Sequence, residues 1–299
     1  MQENTYSLAV INSPNITGIR TLSRVEFEKI SNEISQLKKF QTEEQLFRII
    51  EFNYSDLKDK KKYYLNQFIV NRNPNTSEFS QYLDLNRLIL NLLSSIRTYL
   101  DHTETRLKRN YGEVSEEFKL FKKLSAESFD NHFAYRFLAK LRNYSQHCGL
   151  PAGSISLTDN LNGQDLHLYL HRDNLLKNFD SWGALVKPDL QAQKNEFDIF
   201  PLIDNKISLL KDINTKISEK ILKELKNEGK NLLRLIIETQ KNNIGIPCIL
   251  KVSGNINNPT MQMNWFPYEI IALTTGVKFN IIESERNSDS AEILSMPAK

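Results

Sequence analysis

The sequence has little cysteine, glycine or proline. Its two cysteines, Cys148 and Cys248, each stand alone, which excludes a zinc knuckle and a dense disulfide framework and favours a reducing compartment. Only 10 glycines and 9 prolines are spread over 299 residues, so the turn signals that many short strands need are scarce. Leu, Ile, Lys, Glu and Asn are abundant instead. This balance predicts a mainly α protein.

The sequence also lacks a strong net charge and long apolar runs. Its net charge of +3, from 39 basic and 36 acidic residues, is too small for the whole surface to attract a polyanion, so any nucleic-acid site must be local. No stretch approaches about 18 apolar residues, and residues 1–10 lack a basic start followed by an apolar run. We therefore expect a soluble cytoplasmic protein with no membrane partner.

Residues 1–77 are predicted to form a small N-terminal α/β appendage. An apolar alternation over 6–11 and a turn over 12–14 precede a helical pattern led by Ser23. The apolar residues of this pattern are Phe27, Ile30, Ile34 and Leu37. A polar, proline-containing stretch over 71–76 predicts the loop that ends the appendage.

A basic run with aromatic neighbours lies inside this appendage. Residues 58–64 read Lys-Asp-Lys-Lys-Lys-Tyr-Tyr, and lysines beside aromatic rings are typical of surfaces that contact a phosphate backbone and stack a base. Lys60, Lys61 and Lys62 are therefore candidate RNA-binding residues. The alternative, which is the commoner role of such runs, is the solvated face of a helix.

Residues 78–242 are predicted to form a helical bundle. A long helix is expected over 80–111, where apolar residues recur at steps of three and four. Its stripe consists of Tyr82, Leu85, Ile89, Leu92, Ile96, Tyr99 and Thr103. A short helix is expected after Ser115, and a third over 131–148, where a glycine and a proline follow.

The remaining segments combine helical and strand patterns. A β-hairpin insertion is expected over about 154–172, where apolar and polar residues alternate. The helical pattern over 207–236 is expected to return as the fourth helix of the bundle, with a bend near Gly229. Residues 243–299 are predicted to hold a small C-terminal β-containing element and a loose tail. The short strands expected there are 248–252, 261–266 and 277–282.

The helix over 131–148 carries a compact polar cluster near its end. Arg142 is followed directly by Asn143 and, five positions on, by His147. This pattern resembles the signature of the HEPN superfamily, an arginine followed after four to six residues by a histidine, commonly with asparagine directly after the arginine. The resemblance covers roughly residues 80–240 and leaves the two ends of the chain unexplained.

A second pair has the same spacing. Arg97 and His102 are also separated by four residues, yet Thr98 follows the arginine and both lie inside the predicted first helix of the bundle. The bare spacing arises by chance in about half of such chains. We therefore interpret this second pair as a coincidence.

The resemblance implies a HEPN-like four-helix bundle that cleaves RNA without metal or cofactor, as a toxin or antiviral-defence effector. It also implies a homodimer in which two motif-bearing helices face each other and share a composite active site. On one ideal helix Arg142 and His147 lie about 140° apart. One helix therefore does not aim both at the same atom, and a twofold dimer is the expected solution.

The residue types fit attack of a ribose 2′-hydroxyl on the adjacent phosphate. His147 is expected to move a proton near neutral pH, and Arg142 to stabilise the charge that grows on the phosphorane. Asn143 would hold a phosphate oxygen or orient the histidine. No carboxylate cluster of a two-metal nuclease stands near these residues, so metal-independent cleavage that leaves a 2′,3′-cyclic phosphate is expected.

Each of these residues also has a structural alternative. Arg142 and His147 would then offset the dipole at the end of their helix while Asn143 makes a surface hydrogen bond. Nearby, Tyr144 is expected to pack rather than stack a base, and Cys148 to be a small buried hydrophobe. His167 and His171 are expected to be strand residues and not metal ligands. The roles of His132 and Asp101 stay open, because the spacing does not decide whether either enters the cleft from a neighbouring helix.

Two other classes of function stay in competition. One is a non-catalytic helical dimer that binds a protein, nucleotide or RNA partner. The other is an RNA-binding subunit of a larger assembly, in which residues 58–64 supply the contact. An antitoxin or regulatory protein is a further possible partner, because neutralising surfaces leave no local signature.

Overall fold

The computed structural model describes residues 4–71, 78–160, 163–241, 245–255 and 258–279. Within these ranges the chain is mainly helical and forms two small antiparallel sheets, which confirms the prediction of a mainly α protein. In chain order the strands and helices are β1 (Thr5–Asn12), β2 (Asn15–Thr21), α1 (Arg24–Asn71), α2 (Glu78–Tyr111), α3 (Glu116–Asn131), α4 (Phe133–His147), β3 (Ser154–Asn160), β4 (Gly163–His171), α5 (Arg172–Asn178), α6 (Val186–Gln191), β5 (Glu196–Asp198), α7 (Phe200–Glu224), α8 (Lys226–Gln240), β6 (Ile246–Asn255), β7 (Asn258–Trp265) and α9 (Tyr268–Thr275).

The chain divides into two compact units. The first combines residues 1–44 with 219–299, and the second spans 45–218. This division differs from the sequence-based boundaries at 77 and 242, because β1 pairs with β6 and so joins an early and a late segment in one unit. The helix α1 is continuous and contributes to both units.

The first unit is built on a four-stranded antiparallel sheet in the order β2-β1-β6-β7. The ring of Tyr6 in β1 lies 4.8 Å from that of Phe27 in α1. Ser23 begins α1, since its Oγ accepts a hydrogen bond from the backbone N–H of Glu26 at 3.2 Å. The predicted strands 248–252 and 261–266 lie almost wholly within β6 and β7.

The last predicted strand is not found where the chain is described. Residues 276–279 form no strand, and the rest of that prediction, residues 280–282, lies outside the described residues together with the predicted tail. Of the predicted loop over 71–76, Asn71 is the last residue of α1, and residues 72–76 lie outside the described residues as well.

The last long helical stretch is interrupted one turn earlier than its sequence predicts. The break lies at Leu225, between α7 and α8, and Gly229 lies inside α8. A Cβ atom added at Gly229 would be 2.0 Å from Oγ1 of Thr274 in α9. Glycine at this position therefore serves the close packing of α8 against α9 and not a bend.

The second unit holds the helices α2, α3 and α4, with the later part of α1 and most of α7. The predicted stripe of α2 is buried in its core: Leu85, Ile89, Leu92, Ile96, Tyr99 and Thr103 are each at most 3% exposed. The Tyr99 hydroxyl donates to Oδ1 of Asn214 in α7 at 2.9 Å, so α2 and α7 are joined by a polar contact as well as by packing.

A small sheet completes the second unit. The predicted hairpin is confirmed as β3 and β4, which pair from Ser154–Tyr169 to Asn160–Gly163. A third strand, β5, pairs with the end of β4. Three residues are too few for an alternation to be recognised in the sequence, and this strand was not predicted.

Candidate functional site

The helix α4 positions the Arg-Asn-His motif. Phe137, Leu141 and Tyr144 are each at most 6% exposed and fix the inner face of the helix against the core. The helix ends at His147, as predicted, because the chain continues through Gly149 with a φ of +152°, which favours glycine. Arg142 and Asn143 are half-buried on its flank.

Arg142 and Asn143 line a cavity of about 260 Å³ in the second unit. Residues of four helices meet there, and the apolar part of the wall comes mainly from α2 and α4. The polar and charged lining residues are Arg97 of α2, Lys140, Arg142 and Asn143 of α4, and Lys206 of α7. Among the described residues that line the cavity, none is acidic.

Arg97 lies where the cavity meets solvent. Its side chain is 60% exposed, and its Nε lies 2.7 Å from Oδ2 of Asp101, one turn further along α2. Asp101, whose role the sequence left open, therefore compensates one cation of the cavity. Lys140, Arg142 and Lys206 have no carboxylate partner among the described residues.

Lys206 is the most buried cation of this group, at 2% exposure. Its Nζ donates to the backbone oxygen of Tyr135 at 3.1 Å and lies 4.9 Å from the centre of the Tyr135 ring. Burial, together with the positive charge of Arg97, lowers the pKa of Lys206 to about 7. The ammonium is therefore held in place by a carbonyl and a ring face.

The side chain of Arg142 has an unused donor. Its Nε is buried and has no hydrogen-bond partner among the described residues. An unpaired buried donor is costly, and a guanidinium offers a fork of donors that fits the oxygens of a phosphate. A cavity lined by such a side chain is suited to an oxyanion.

His147 lies outside the cavity and is exposed. It follows Asn143 by four residues, so the two side chains are neighbours on one face of α4. It lies about 140° around the helix from Arg142. The fold thus brings Arg142 and Asn143 into one cavity and places His147 one turn beyond its Asn143 edge.

Three cations that line the cavity, Arg97, Lys140 and Lys206, were not among the predicted site residues. Arg97 was set aside as part of a coincidental pair, yet it shares the cavity with Arg142. Lys206 left a signal, because it falls at the three-and-four spacing of a buried apolar stripe. That stripe consists of Ile203, Lys206, Leu210, Ile213 and Ile217. A lysine in such a register predicts a buried ammonium with a special environment.

The basic run of α1 already has carboxylate partners for two of the three candidate RNA-binding lysines. Nζ of Lys60 lies 3.6 Å from Oδ2 of Asp84, and Nζ of Lys61 lies 2.8 Å from Oδ1 of Asp165. Lys62 is exposed and has no ion-pair partner among the described residues. The run therefore ties α1 to α2 and β4, and Lys62 is the member best placed to meet RNA.

Replacing Lys61 by alanine is expected to lower the free energy of unfolding by about 1–2 kcal/mol. Its side chain is 14% exposed, and its Nζ also lies 4.5 Å from the centre of the Phe200 ring. The matched change Lys62→Ala should stay within about 0.5 kcal/mol of wild type. Urea denaturation measures both. Equal stability of the two variants would contradict the structural role of Lys61.

Lys62→Ala also tests RNA binding by the basic run. If the run contacts RNA, this variant should reduce the slope of the logarithm of the binding constant against the logarithm of the salt concentration by about one.

Three neighbours of the motif have clear positions. Tyr144 packs as predicted, with its ring stacked 6.0 Å from that of Trp182. Cys148 is exposed, so its prediction as a small buried hydrophobe was wrong. The reason is that it caps α4, donating its N–H to the oxygen of Tyr144 at 2.8 Å, where the chain turns away from the core. His132 is half-buried between α3 and α4.

The histidines of β4 are strand residues, as predicted, and each has a partner. In His167, Nδ1 lies 2.8 Å from Oδ2 of Asp198 and Nε2 lies 2.8 Å from Oγ1 of Thr158. In His171, Nδ1 lies 3.3 Å from Oε1 of Glu196. These pairs connect neighbouring strands of the small sheet.

Comparisons with protein-family models, with curated proteins and with solved structures find no match for this chain. Among the described residues no group of three or more His, Cys, Asp and Glu side chains is placed to hold a metal ion. Within the same ranges, no helix has the combination of length and apolar composition that crossing a membrane requires.

Proposed function

We propose that this protein is a metal-independent endoribonuclease of the HEPN type, acting in the cytoplasm as a toxin or antiviral-defence effector. The observation that carries the proposal is the arrangement of the motif. Arg142 and Asn143 lie side by side in a cavity lined by cations, and His147 follows one turn beyond Asn143. A cavity whose described lining residues include cations and no acidic group suits the phosphate of RNA.

The proposed reaction transfers the phosphorus between two oxygens of the RNA. The 2′-oxygen of a ribose forms a bond to the adjacent phosphorus, and the bond from that phosphorus to the 5′-oxygen of the next nucleotide breaks. The imidazole of His147 accepts the proton of the 2′-hydroxyl, and the imidazolium formed in this way delivers that proton to the departing 5′-oxygen. Arg142 stabilises the extra negative charge on the phosphorane, while Asn143 orients a phosphate oxygen.

A homodimer is part of the proposal. Because Arg142 and His147 diverge by about 140° on α4, one chain does not direct both at one phosphate. In a twofold dimer with facing α4 helices, Arg142 and Asn143 of one subunit meet His147 of the partner subunit. The exposure of His147 at the end of α4 is compatible with this arrangement.

The proposal is tested with the purified protein and RNA in the presence of EDTA. Cleavage is expected without added metal, with 2′,3′-cyclic phosphate ends found by mass spectrometry, and a DNA strand of the same sequence should remain intact because it lacks the 2′-hydroxyl. Cleavage of the DNA strand, or loss of RNA cleavage in EDTA, would contradict the proposed mechanism.

A second candidate is a non-catalytic helical dimer that binds a protein, a nucleotide or RNA. The observation that favours it is the separation of His147 from the cavity within one chain. RNA cleavage distinguishes the two candidates, because a binding module would bind RNA without cutting it. An antitoxin or other regulatory protein that covers the motif is compatible with either function.

A further inference from the structure

The cavity is lined by a buried lysine, Lys206, that has no carboxylate partner among the described residues. Lys206 is 2% exposed, and an ammonium has three N–H donors. Its one hydrogen bond among the described residues goes to the oxygen of Tyr135. Two donors are therefore left for a ligand or for solvent inside the cavity, where an unpaired charge is costly.

Among the described residues that line the cavity with Lys206, the charged ones are all positive. Arg97 approaches from α2, and Lys140 and Arg142 of α4 line the same cavity. Tyr135 of α4 contacts Lys206 with its ring and its backbone oxygen. Apart from the Asp101 carboxylate on Arg97, nothing acidic among the described residues offsets this field, so the cavity favours an anion with more than one negative charge.

The size of the cavity limits what that anion is. Its volume is about 260 Å³, whereas pockets that enclose drug-sized ligands usually exceed about 300 Å³. A tetrahedral oxyanion with a few waters fits, since one water takes about 30 Å³. A base and a ribose attached to it would lie outside, near the exposed Arg97.

We propose that this cavity is a binding site for one phosphoryl group of a nucleotide, with Lys206 beneath it and the guanidinium of Arg142 beside it. The unused Nε of Arg142 and the free donors of Lys206 then share the phosphoryl oxygens. The inference goes beyond the proposed ribonuclease, because it assigns Lys206, a residue outside the motif, to a ligand whether or not RNA is cut.

Binding of the anion is linked to a proton. Without ligand, the pKa of Lys206 is lowered to about 7 by burial and by Arg97, so the ammonium is largely neutral in mildly alkaline solution. A bound dianion favours the charged form and raises this pKa again. The anion therefore binds with uptake of a proton, and its affinity falls as the pH rises through about 7.

Sulfate is the probe, because its charge is constant from about pH 6 to about pH 9. Titration calorimetry with sulfate, against chloride at equal ionic strength, should show binding that weakens about tenfold between about pH 6 and about pH 8. Lys206→Met should lose both the binding and its pH dependence. Lys211→Met removes a lysine from the exposed face of the same helix and should bind sulfate like wild type.

Arg142→Gln keeps the test informative if Lys206→Met does not fold. This variant should bind sulfate more weakly at every pH but retain the pH dependence, which belongs to Lys206. Equal effects of sulfate and chloride, or equal sulfate affinity in Lys206→Met and Lys211→Met, would overturn the proposal.

Competition identifies where the phosphoryl group comes from. Displacement of sulfate by adenosine 5′-monophosphate indicates a free nucleotide, and displacement by a 2′-deoxyoligonucleotide without terminal phosphates indicates a nucleic-acid backbone. If neither competes, the assignment to a nucleotide is wrong. Neither probe has a 2′-hydroxyl next to a phosphodiester, so binding is measured apart from cleavage. A protein that binds but never cuts RNA contradicts only the ribonuclease.

Discussion

His147→Ala is expected to reduce RNA cleavage by about 10²–10⁴-fold while RNA binding is retained. The imidazole is the only side chain of the motif that can both accept and deliver a proton, so its loss removes the proton transfers to and from the reacting oxygens. Because His147 is exposed at the end of α4, the substitution should change the free energy of unfolding by less than about 0.5 kcal/mol. Single-turnover cleavage and fluorescence anisotropy with labelled RNA measure the two effects separately.

The chain offers a matched control in His102. It is also an exposed helical histidine five residues after an arginine, yet it lies in α2 and outside the cavity. His102→Ala should therefore cut RNA at the wild-type rate. If both variants lose activity equally, or neither does, the assignment of His147 fails.

Mixing two inactive variants tests whether the active site is shared. If Arg142 and His147 act from different subunits, a heterodimer of Arg142→Ala and His147→Ala contains one site with both residues intact and one with neither. Activity should then return to about a quarter of wild type after subunit exchange, since about half of the dimers are mixed and each has one working site. No recovery in confirmed heterodimers would place both residues in the same subunit.

The helices α2 and α4 of the second unit could be predicted because each has a regular buried stripe, whereas the short helices α5 and α6 were not predicted. The stripe of α2 and the inner face of α4 follow directly from the spacing of large apolar residues. The end of α4 could also be predicted, because Gly149 and Pro151 favour the end of a helix. These features are determined by residues that are close together in the sequence, so local sequence patterns predict them.

The grouping of the segments into two units could not be predicted from local sequence patterns. Nothing local to residues 5–12 indicates that they pair with 246–252, because strand pairing over such a separation depends on the whole fold. The basic run of α1 illustrates the same point. Its charges resemble a nucleic-acid patch in sequence, yet Lys60 and Lys61 find carboxylates on other elements.

The motif itself located only part of the candidate site. Arg142 and Asn143 were identified by their spacing to His147, but the cavity they line also depends on α2 and α7. Arg97 also lines the cavity, although the sequence analysis interprets its spacing to His102 as a coincidence. Lys206 occupies a position of α7 where the helical spacing calls for an apolar residue. This mismatch was a local sign, in the sequence, of a residue with a special role.

Lys206→Met is expected to make the protein more stable than wild type at about pH 6, by an amount that shrinks as the pH rises. The folded pKa of Lys206 is about 7 and its ordinary value is 10.5. Below both values the ammonium is charged in the folded and the unfolded chain, and the full cost of burying it is present. Methionine has a similar length, fills the same space and carries no such cost.

Between the two pKa values the unfolded chain holds a proton that the folded chain has released. The free energy of unfolding of the wild type therefore rises with pH there, by at most about 1.4 kcal/mol per pH unit for this one group. From about pH 7 to about pH 9 the advantage of Lys206→Met should fall by roughly 2–3 kcal/mol. Urea denaturation of the two proteins in sulfate-free and phosphate-free buffer measures the difference, in which the other titrating groups cancel. Lys211→Met, exposed on the same helix, should remain close to wild type at every pH, and a pH-independent advantage of Lys206→Met would show that the buried ammonium keeps its proton throughout.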